Sequence, residues 1–188
     1  MKRPVHLIVI TLLAAQGSFA ADYDQLVERG REACQKEDYF EAKRCFHKAM
    51  ALLEASGAED PRMNKARENI AWLNVKQKNY TEALEMYTEL SKRGIQRNLA
   101  FAEIYEAIGK PMEAVGYYEK EIRAESFNSV SRTPGPDLAA EQRIKELMEK
   151  CVPLLKKANK PKEAEKMSAD AKAQEEKINK VKATLKTQ

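Results

Sequence analysis

The chain has 188 residues, of which 43% are hydrophobic and 33% are charged, and its formal net charge is +4 at pH 7. Residues 145–188 hold 12 lysines against 7 acidic residues, but no aromatic residue follows Phe127. Single-stranded nucleic acids bind basic surfaces that also offer aromatic rings for stacking. We therefore predict no nucleic-acid partner, and interpret the basic end as a solvated helix face.

Residues 1–20 have the pattern of an export signal. Two basic residues precede a mostly apolar run at 5–15, and the small-x-small triplet 18–20 marks a cleavage site between Ala20 and Ala21. The apolar run is shorter than the roughly 20 residues that a stable membrane anchor needs. We expect cleavage, with no transmembrane anchor afterwards; an uncleaved anchor is the alternative.

One short motif occurs four times after this segment. A polar or glycine break is followed by Tyr or Pro, any residue, Glu and Ala, at 39–42, 80–83, 111–114 and 161–164. Proline suits the first position of a helix, and an early Glu suits the positive end of the helix dipole. Each copy therefore predicts a junction between two helices, and the recurrence predicts a repeat array.

After the signal segment, the predicted regular elements are all helices. Three helix pairs occupy 21–125, with helices over about 23–35, 39–55, 60–78, 80–93, 95–108 and 112–125. Residues 126–136, rich in Ser, Pro and Gly, predict an irregular linker. A fourth, degenerate pair follows over 137–188, with Asp137 as a helix cap and Pro153 expected to kink or end the first helix. The second is long and basic, and its seven-residue apolar seam suits one neighbouring helix or a coiled coil.

Aligning the copies on their alanines shows a second regularity. Twelve residues before Ala42, Ala83 and Ala114 stand small residues, which are Gly30, Ala71 and Ala102. Four residues after the same alanines stand Phe46, Tyr87 and Tyr118. Two antiparallel helices approach closely where small side chains face each other, and an aromatic ring one turn on fills the space beyond.

This pattern resembles the tetratricopeptide repeat (TPR) family, well over 23–125 and poorly over 138–175, where Val152 and Ser168 replace the small and aromatic residues. The copies are also 41, 31 and 50 residues apart, whereas the family repeats near 34. The resemblance implies an all-α fold: a right-handed superhelical stack of antiparallel helix pairs, with three to four repeats and a C-terminal helix.

Reactive residue types are sparse. His47 is the only histidine outside the signal, no glycine-rich phosphate loop occurs, and Cys34, Cys45 and Cys151 are an odd set of thiols. A zinc site needs about four converging ligands, and a catalytic site needs convergent polar groups. We predict no enzymatic activity, no cofactor and no metal. The cysteines are expected to be small, partly buried apolar residues, with a Cys34–Cys45 disulfide as the alternative.

The resemblance also implies a binding surface, because the first helix of each pair lines the concave side of such an array. Helical spacing selects the candidate groove residues Val27, Arg31, Lys65, Glu68, Asn69, Trp72, Leu99, Glu103 and Glu106. Trp72, the single tryptophan, is expected near the middle, where it grips a partner or merely covers a neighbouring helix. Some family members clamp a chaperone's C-terminal carboxylate, but only Asn69 here matches that clamp.

The sequence therefore predicts an exported TPR-type scaffold or adaptor that binds a protein or peptide in its groove. By family resemblance such small proteins usually work in bacterial envelope or periplasmic assembly, and secretion is the other route. The alternative function is a structural homo-oligomer assembled through the C-terminal helix.

Overall fold

The computed structural model describes residues 21–55, 60–132 and 137–186. Over these ranges the chain forms eight α-helices and no β-strand, which confirms the predicted all-helical repeat architecture. The helices are α1 (21–35), α2 (Tyr39–Ala55), α3 (Arg62–Lys76), α4 (Tyr80–Lys92), α5 (Asn98–Ala107), α6 (Pro111–Arg132), α7 (Leu138–Lys157) and α8 (Pro161–Lys186). The predicted signal and its last residue, Ala20, lie outside the described residues, whereas Ala21 is the first residue of α1 as described.

The four recurring motifs form the same turn. In each, one residue has a left-handed backbone, and the next residue donates its N–H to a carbonyl in the last turn of the preceding helix. The left-handed residues are Glu37, Lys78, Gly109 and Asn159, with φ of 58°, 62°, 75° and 57°. The donors are Asp38, Asn79, Lys110 and Lys160, with N···O distances of 2.8–2.9 Å. This is the Schellman arrangement, which satisfies carbonyls that a helix end leaves unpaired.

The helices group into two compact units. The first ends at Ile95 and the second begins at Gln96. The predicted division instead joined the first three pairs over 21–125 and left the fourth apart. The third pair groups with the fourth because α6 packs on α7, and residues of both pairs share one hydrophobic cluster.

The core of each unit forms where the sequence pattern placed it. Ala42, Ala71, Ala83, Ala102 and Ala114 are fully buried, and Gly30 is buried as well. The aromatic residues four positions on, Phe46, Tyr87 and Tyr118, are each at most 3% exposed. The small residues and aromatic rings are therefore packing positions of the first three helix pairs.

The predicted irregular linker is wrong over residues 126–132. Helix α6 continues through them to Arg132, and the remaining residues of that linker, 133–136, lie outside the described residues. The helix accommodates these serines because their hydroxyls donate to carbonyl oxygens of the helix itself. Ser126 Oγ donates to Ile122 O at 2.8 Å, and Ser129 Oγ donates to Ser126 O at 3.0 Å. Serine content alone did not end this helix.

The fourth pair is regular in spite of its sequence. Asp137 caps α7 by accepting from the backbone N–H groups of Ala139 and Ala140, each at 3.1 Å, as predicted. Helix α7 does not end at Pro153 but runs on to Lys157.

The seam of α8 is used inside the chain. Ala164, Ala171 and Ile178 are all buried, and Ala164 packs in the same cluster as Cys151, Leu154 and Leu155 of α7. Helices α7 and α8 form the most extensive helix contact in the second unit. Because these residues already pack inside the chain, they are not available as the contact surface that the homo-oligomer alternative requires.

Candidate functional site

The most exposed large apolar side chain on the predicted face of α3 is Trp72, which is 39% exposed. The Lys76 ammonium lies 5.2 Å from the centre of its ring, within the range of a cation–π contact. One and two turns earlier on the same face, Lys65 and Glu68 form an ion pair at 3.2 Å. The ring of Trp72 is therefore flanked by charged side chains, and part of its surface is exposed to solvent.

Asn69 lies on this face as well, one turn before Trp72. Its side chain is half-buried, and its Nδ2 has no hydrogen-bond acceptor among the described residues. A buried amide group without a partner costs about 1–3 kcal/mol. Because this nitrogen is itself buried, an acceptor on the surface of the protein cannot reach it.

Helix α1 contributes less to this surface than its sequence predicted. Arg31 is exposed and pairs with Glu28 at 3.3 Å. Val27, which was predicted to line the groove, is 7% exposed and packs in the core cluster with Ile70 and Leu73 of α3. The prediction for Val27 is wrong because the face of α1 that carries it turns towards α3 rather than towards solvent.

The three remaining candidates belong to the second unit. Leu99 is 40% exposed on α5, and Glu103 and Glu106 are exposed on the same helix. Glu106 already has a partner, since the Tyr118 hydroxyl donates to its Oε2 at 3.2 Å. Burial, followed by the nearby Glu106 carboxylate, raises the pKa of Tyr118, so the hydroxyl remains a donor at all ordinary pH values. Glu106 is therefore a packing partner of α6 as well as a surface residue.

A cleft that the sequence did not predict lies on the other side of α3. It has a volume of about 450 Å³ and is formed by residues of α2, α3 and α4. Its α3 residues, Arg67, Ile70 and Asn74, point away from the face of Trp72, since 100° of rotation per residue puts the two sets on opposite sides. We call this feature the α2–α4 cleft.

A second cleft of similar volume, about 450 Å³, lies between α7 and α8. Ser168 lines it at the position where the other three copies carry a buried aromatic ring. Lys145 bridges the two helices nearby, with ion pairs of 3.2 Å to Glu149 and 3.4 Å to Glu175. The serine in place of an aromatic ring leaves space between the two helices.

Metal-binding side chains do not cluster in the part of the chain that the structure describes. Among the described residues, no three His, Cys, Asp or Glu side chains come together in a way that could hold a metal ion. Cys34, Cys45 and Cys151 are free thiols, the first half-buried and the others buried. No described helix combines the length and apolar character needed to cross a membrane.

Neither a protein-family model nor a curated protein matches this chain. The solved structures that are similar to it include two of the nearly identical TPR-like repeats of a kinesin light chain-like protein from Podosopora anserina. One, a single-substitution variant, is 16% identical, with 88% of this chain and 96% of its own covered and a TM-score of 0.49. The other is 17% identical, with 86% and 95% covered and the same TM-score.

The contacts inside this chain characterise its fold directly. Four helix junctions share one hydrogen-bond pattern, and three pairs bury a small residue, an alanine twelve positions on and an aromatic ring one turn later. The fold of the chain is therefore one of tetratricopeptide-like helix pairs.

Proposed function

We propose that this protein is an exported scaffold or adaptor that binds a segment of another protein on the face of α3 around Trp72. The observation that carries the proposal is the exposure of this ring on the first helix of a repeat pair. Tryptophan is enriched among the residues that dominate the binding energy of protein interfaces.

The surround of Trp72 suits a peptide-like partner. The Lys65–Glu68 pair supplies a polar rim on the same face of α3. We extend the proposal to the matching face of α5, where Leu99, Glu103 and Glu106 form a contact surface in its own right.

The test compares partner capture by the wild type and by Trp72→Ala. Truncating an anchor of this kind costs about 2 kcal/mol or more, which is roughly a 30-fold loss of affinity. Phe40→Ala is a matched control, because Phe40 is 80% exposed but lies in the first turn of α2, away from this face. Both variants keep the helical circular dichroism if they fold.

A partner that is purified with the wild type and with Phe40→Ala, but lost with Trp72→Ala, would support the proposal. Equal retention by all three proteins would remove Trp72 from the binding site. Partners identified in this way are then quantified by calorimetry, since capture alone does not give an affinity.

Export is a separate part of the proposal. It is supported by the basic residues, apolar run and small-x-small triplet in 1–20, and we place the protein in the bacterial periplasm or envelope, with secretion as the other route. Intact mass of the protein recovered from the native host tests it. A mature chain that begins at Ala21 is the expected result, and a cytoplasmic protein that retains 1–20 would refute export.

A further inference from the structure

The α2–α4 cleft has an apolar floor within the first unit. Ile70 of α3 is 2% exposed, and Met50 of α2 and Met86 of α4 are half-buried beside it. The one polar group of the floor, the Asn74 amide, is already engaged: Lys43 Nζ donates to its Oδ1 at 3.3 Å, and its Nδ2 contacts Met86 Sδ at 3.4 Å. Methionine-lined floors adapt to the shape of an apolar side chain that enters them.

The two sides of the cleft carry opposite charges. Lys43 and Arg67 stand on the side of α2 and α3, and Glu82, Glu85 and Glu89 stand on the side of α4. Within the described part of the chain Arg67 is half-buried and forms no ion pair. Glu82 and Glu85 are exposed and also have no partner there. An occupant of this cleft would therefore meet cations on one flank and carboxylates on the other.

His47 adds little charge to the basic side. Partial burial, and then the neighbouring Lys43 ammonium, lower the pKa of His47, so the imidazole is neutral at physiological pH. The basic side thus depends on Lys43 and Arg67.

The length of the cleft follows from its lining residues. On α2 they run from Lys43 to Met50, on α3 from Arg67 to Asn74 and on α4 from Glu82 to Glu89. Each stretch advances by seven residues, or about 10 Å along a helix axis, which is two helical turns. The lining of the cleft therefore extends over about two turns of each of the three helices.

The chemistry of the floor selects the backbone conformation of an occupant. An extended segment would press N–H and C=O groups against side chains that cannot pair with them, at a cost for each unpaired group. A helical segment satisfies its own backbone and presents side chains at i, i+3, i+4 and i+7 to a groove.

We infer that the α2–α4 cleft is a second docking site, which binds a two-turn amphipathic helix of a partner protein. The apolar stripe of that helix sits on Ile70, Met50 and Met86. Its acidic flank pairs with Lys43 and Arg67. Its basic flank pairs with Glu82 and Glu85, since Glu89 is already paired with Lys92 and Arg93. This site is independent of the proposed site at Trp72, since the two use opposite faces of α3.

The test uses four synthetic peptides of twelve residues, each held helical by a side-chain lactam. One has a leucine stripe with Glu on one flank and Lys on the other. Two keep the stripe but carry only Glu or only Lys on both flanks, and one keeps the mixed flanks but replaces the stripe with Ser. Binding to the purified protein is followed by NMR of ¹³C-labelled methionine methyl groups, so that Met50 and Met86 report the place of binding.

The mixed-flank leucine peptide is expected to bind at least tenfold more tightly than the other three and to shift both methyl signals. Arg67→Glu should weaken it about tenfold, and Lys48→Glu, an exposed charge reversal on α2 outside the cleft, should not. If Arg67→Glu does not fold, Glu85→Lys at an exposed position of the opposite side replaces it. Equal binding of all flank patterns, no binding of the mixed peptide, or full affinity in the Arg67 variant would overturn the inference. Trp72→Ala should leave these affinities unchanged, so failure here is distinguishable from failure of the Trp72 site.

Discussion

Gly30 and Gly116 are both helical glycines, yet replacing each by alanine should change stability in opposite directions. Gly30 of α1 lies under the ring of Phe46 of α2. A Cβ at Gly30 would stand 2.5 Å from Cε1 of that ring and 2.9 Å from both Cδ1 and Cζ. Carbon atoms in contact are normally about 3.5–4.0 Å apart. A Cβ at Gly116 of α6 meets nothing within 4 Å.

The magnitude follows from two opposing terms. Alanine in a helix interior is about 0.5–1 kcal/mol more favourable than glycine, because glycine loses more conformational freedom on folding. Adding a carbon to a full core costs about 1–3 kcal/mol. Phe46 is 2% exposed and cannot swing into solvent, so the second term outweighs the first at Gly30. We expect Gly30→Ala to lower the free energy of unfolding by about 1–2 kcal/mol, and Gly116→Ala to raise it by about 0.5–1 kcal/mol.

Urea unfolding followed by circular dichroism measures both changes, and the slope of each transition shows whether the unfolded surface has stayed the same. Phe46→Leu combined with Gly30→Ala should cost less than the sum of the two single changes, since the smaller side chain relieves the clash. If Gly30→Ala stabilises the protein as Gly116→Ala does, the close approach of α1 and α2 does not limit residue size at Gly30.

Three further predictions concern other parts of the chain. Lys78→Gly should raise the free energy of unfolding by about 1 kcal/mol, because φ at Lys78 is 62° and glycine adopts this conformation without strain. Gly109→Ala, at φ 75°, should lower the free energy of unfolding by a similar amount for the same reason. Denaturant titration measures both changes, and changes of equal sign would contradict the turn geometry. Hydrogen bonds from Arg44 lower the pKa of Glu41 from 4.5 to about 2, so this stabilisation is complete above pH 4.5 and is lost as pH falls towards 2. The difference in melting temperature between the wild type and Glu41→Gln should therefore shrink over that interval, whereas a difference independent of pH would refute the ion pair. Burial raises the pKa of Cys151 to about 12, so iodoacetamide followed by mass spectrometry should modify it only as fast as the protein unfolds; rapid labelling of the native protein would show that it is accessible.

The junctions could be predicted from sequence because the forces that make them are local. A polar break, a residue able to adopt a left-handed backbone and a Pro or Tyr start lie within about six residues of one another. The structure accordingly places α2 over the predicted range Tyr39–Ala55 and begins α4 at the predicted Tyr80. The same locality explains the regular turn at Asn159 in the pair whose packing residues are atypical.

Helix ends without such a signal were harder to predict. The serines at 126 and 129 contributed to the prediction of a linker, but their hydroxyls hydrogen-bond to carbonyls of α6 and the helix continues through them. Pro153 removes one backbone donor, yet α7 continues, because buried residues on both sides of it, Cys151 and Leu155 among them, anchor the helix to the second core. Tertiary burial outweighed a local preference in this case.

One part of the candidate site could be predicted from the sequence, and another part could not. Spacing along α3 was enough to place Lys65, Glu68 and Trp72 on one face, since that depends only on helix geometry. Whether a face is open depends on the neighbouring helices, so the spacing that selected Arg31 also selected Val27, which the core buries. The α2–α4 cleft needs side chains from three helices, and the three- and four-residue spacing within each helix does not show which helices meet.

The sequence by itself determined the helical class, the four junctions and the small and aromatic packing positions, because each is encoded within one or two turns of helix. The tertiary structure alone decided how the pairs divide into two units, which thiols and charges are buried, and where a surface remains open between helices. Those properties depend on contacts between side chains of helices that are distant in the chain. The spacing of residues within one helix does not specify such contacts.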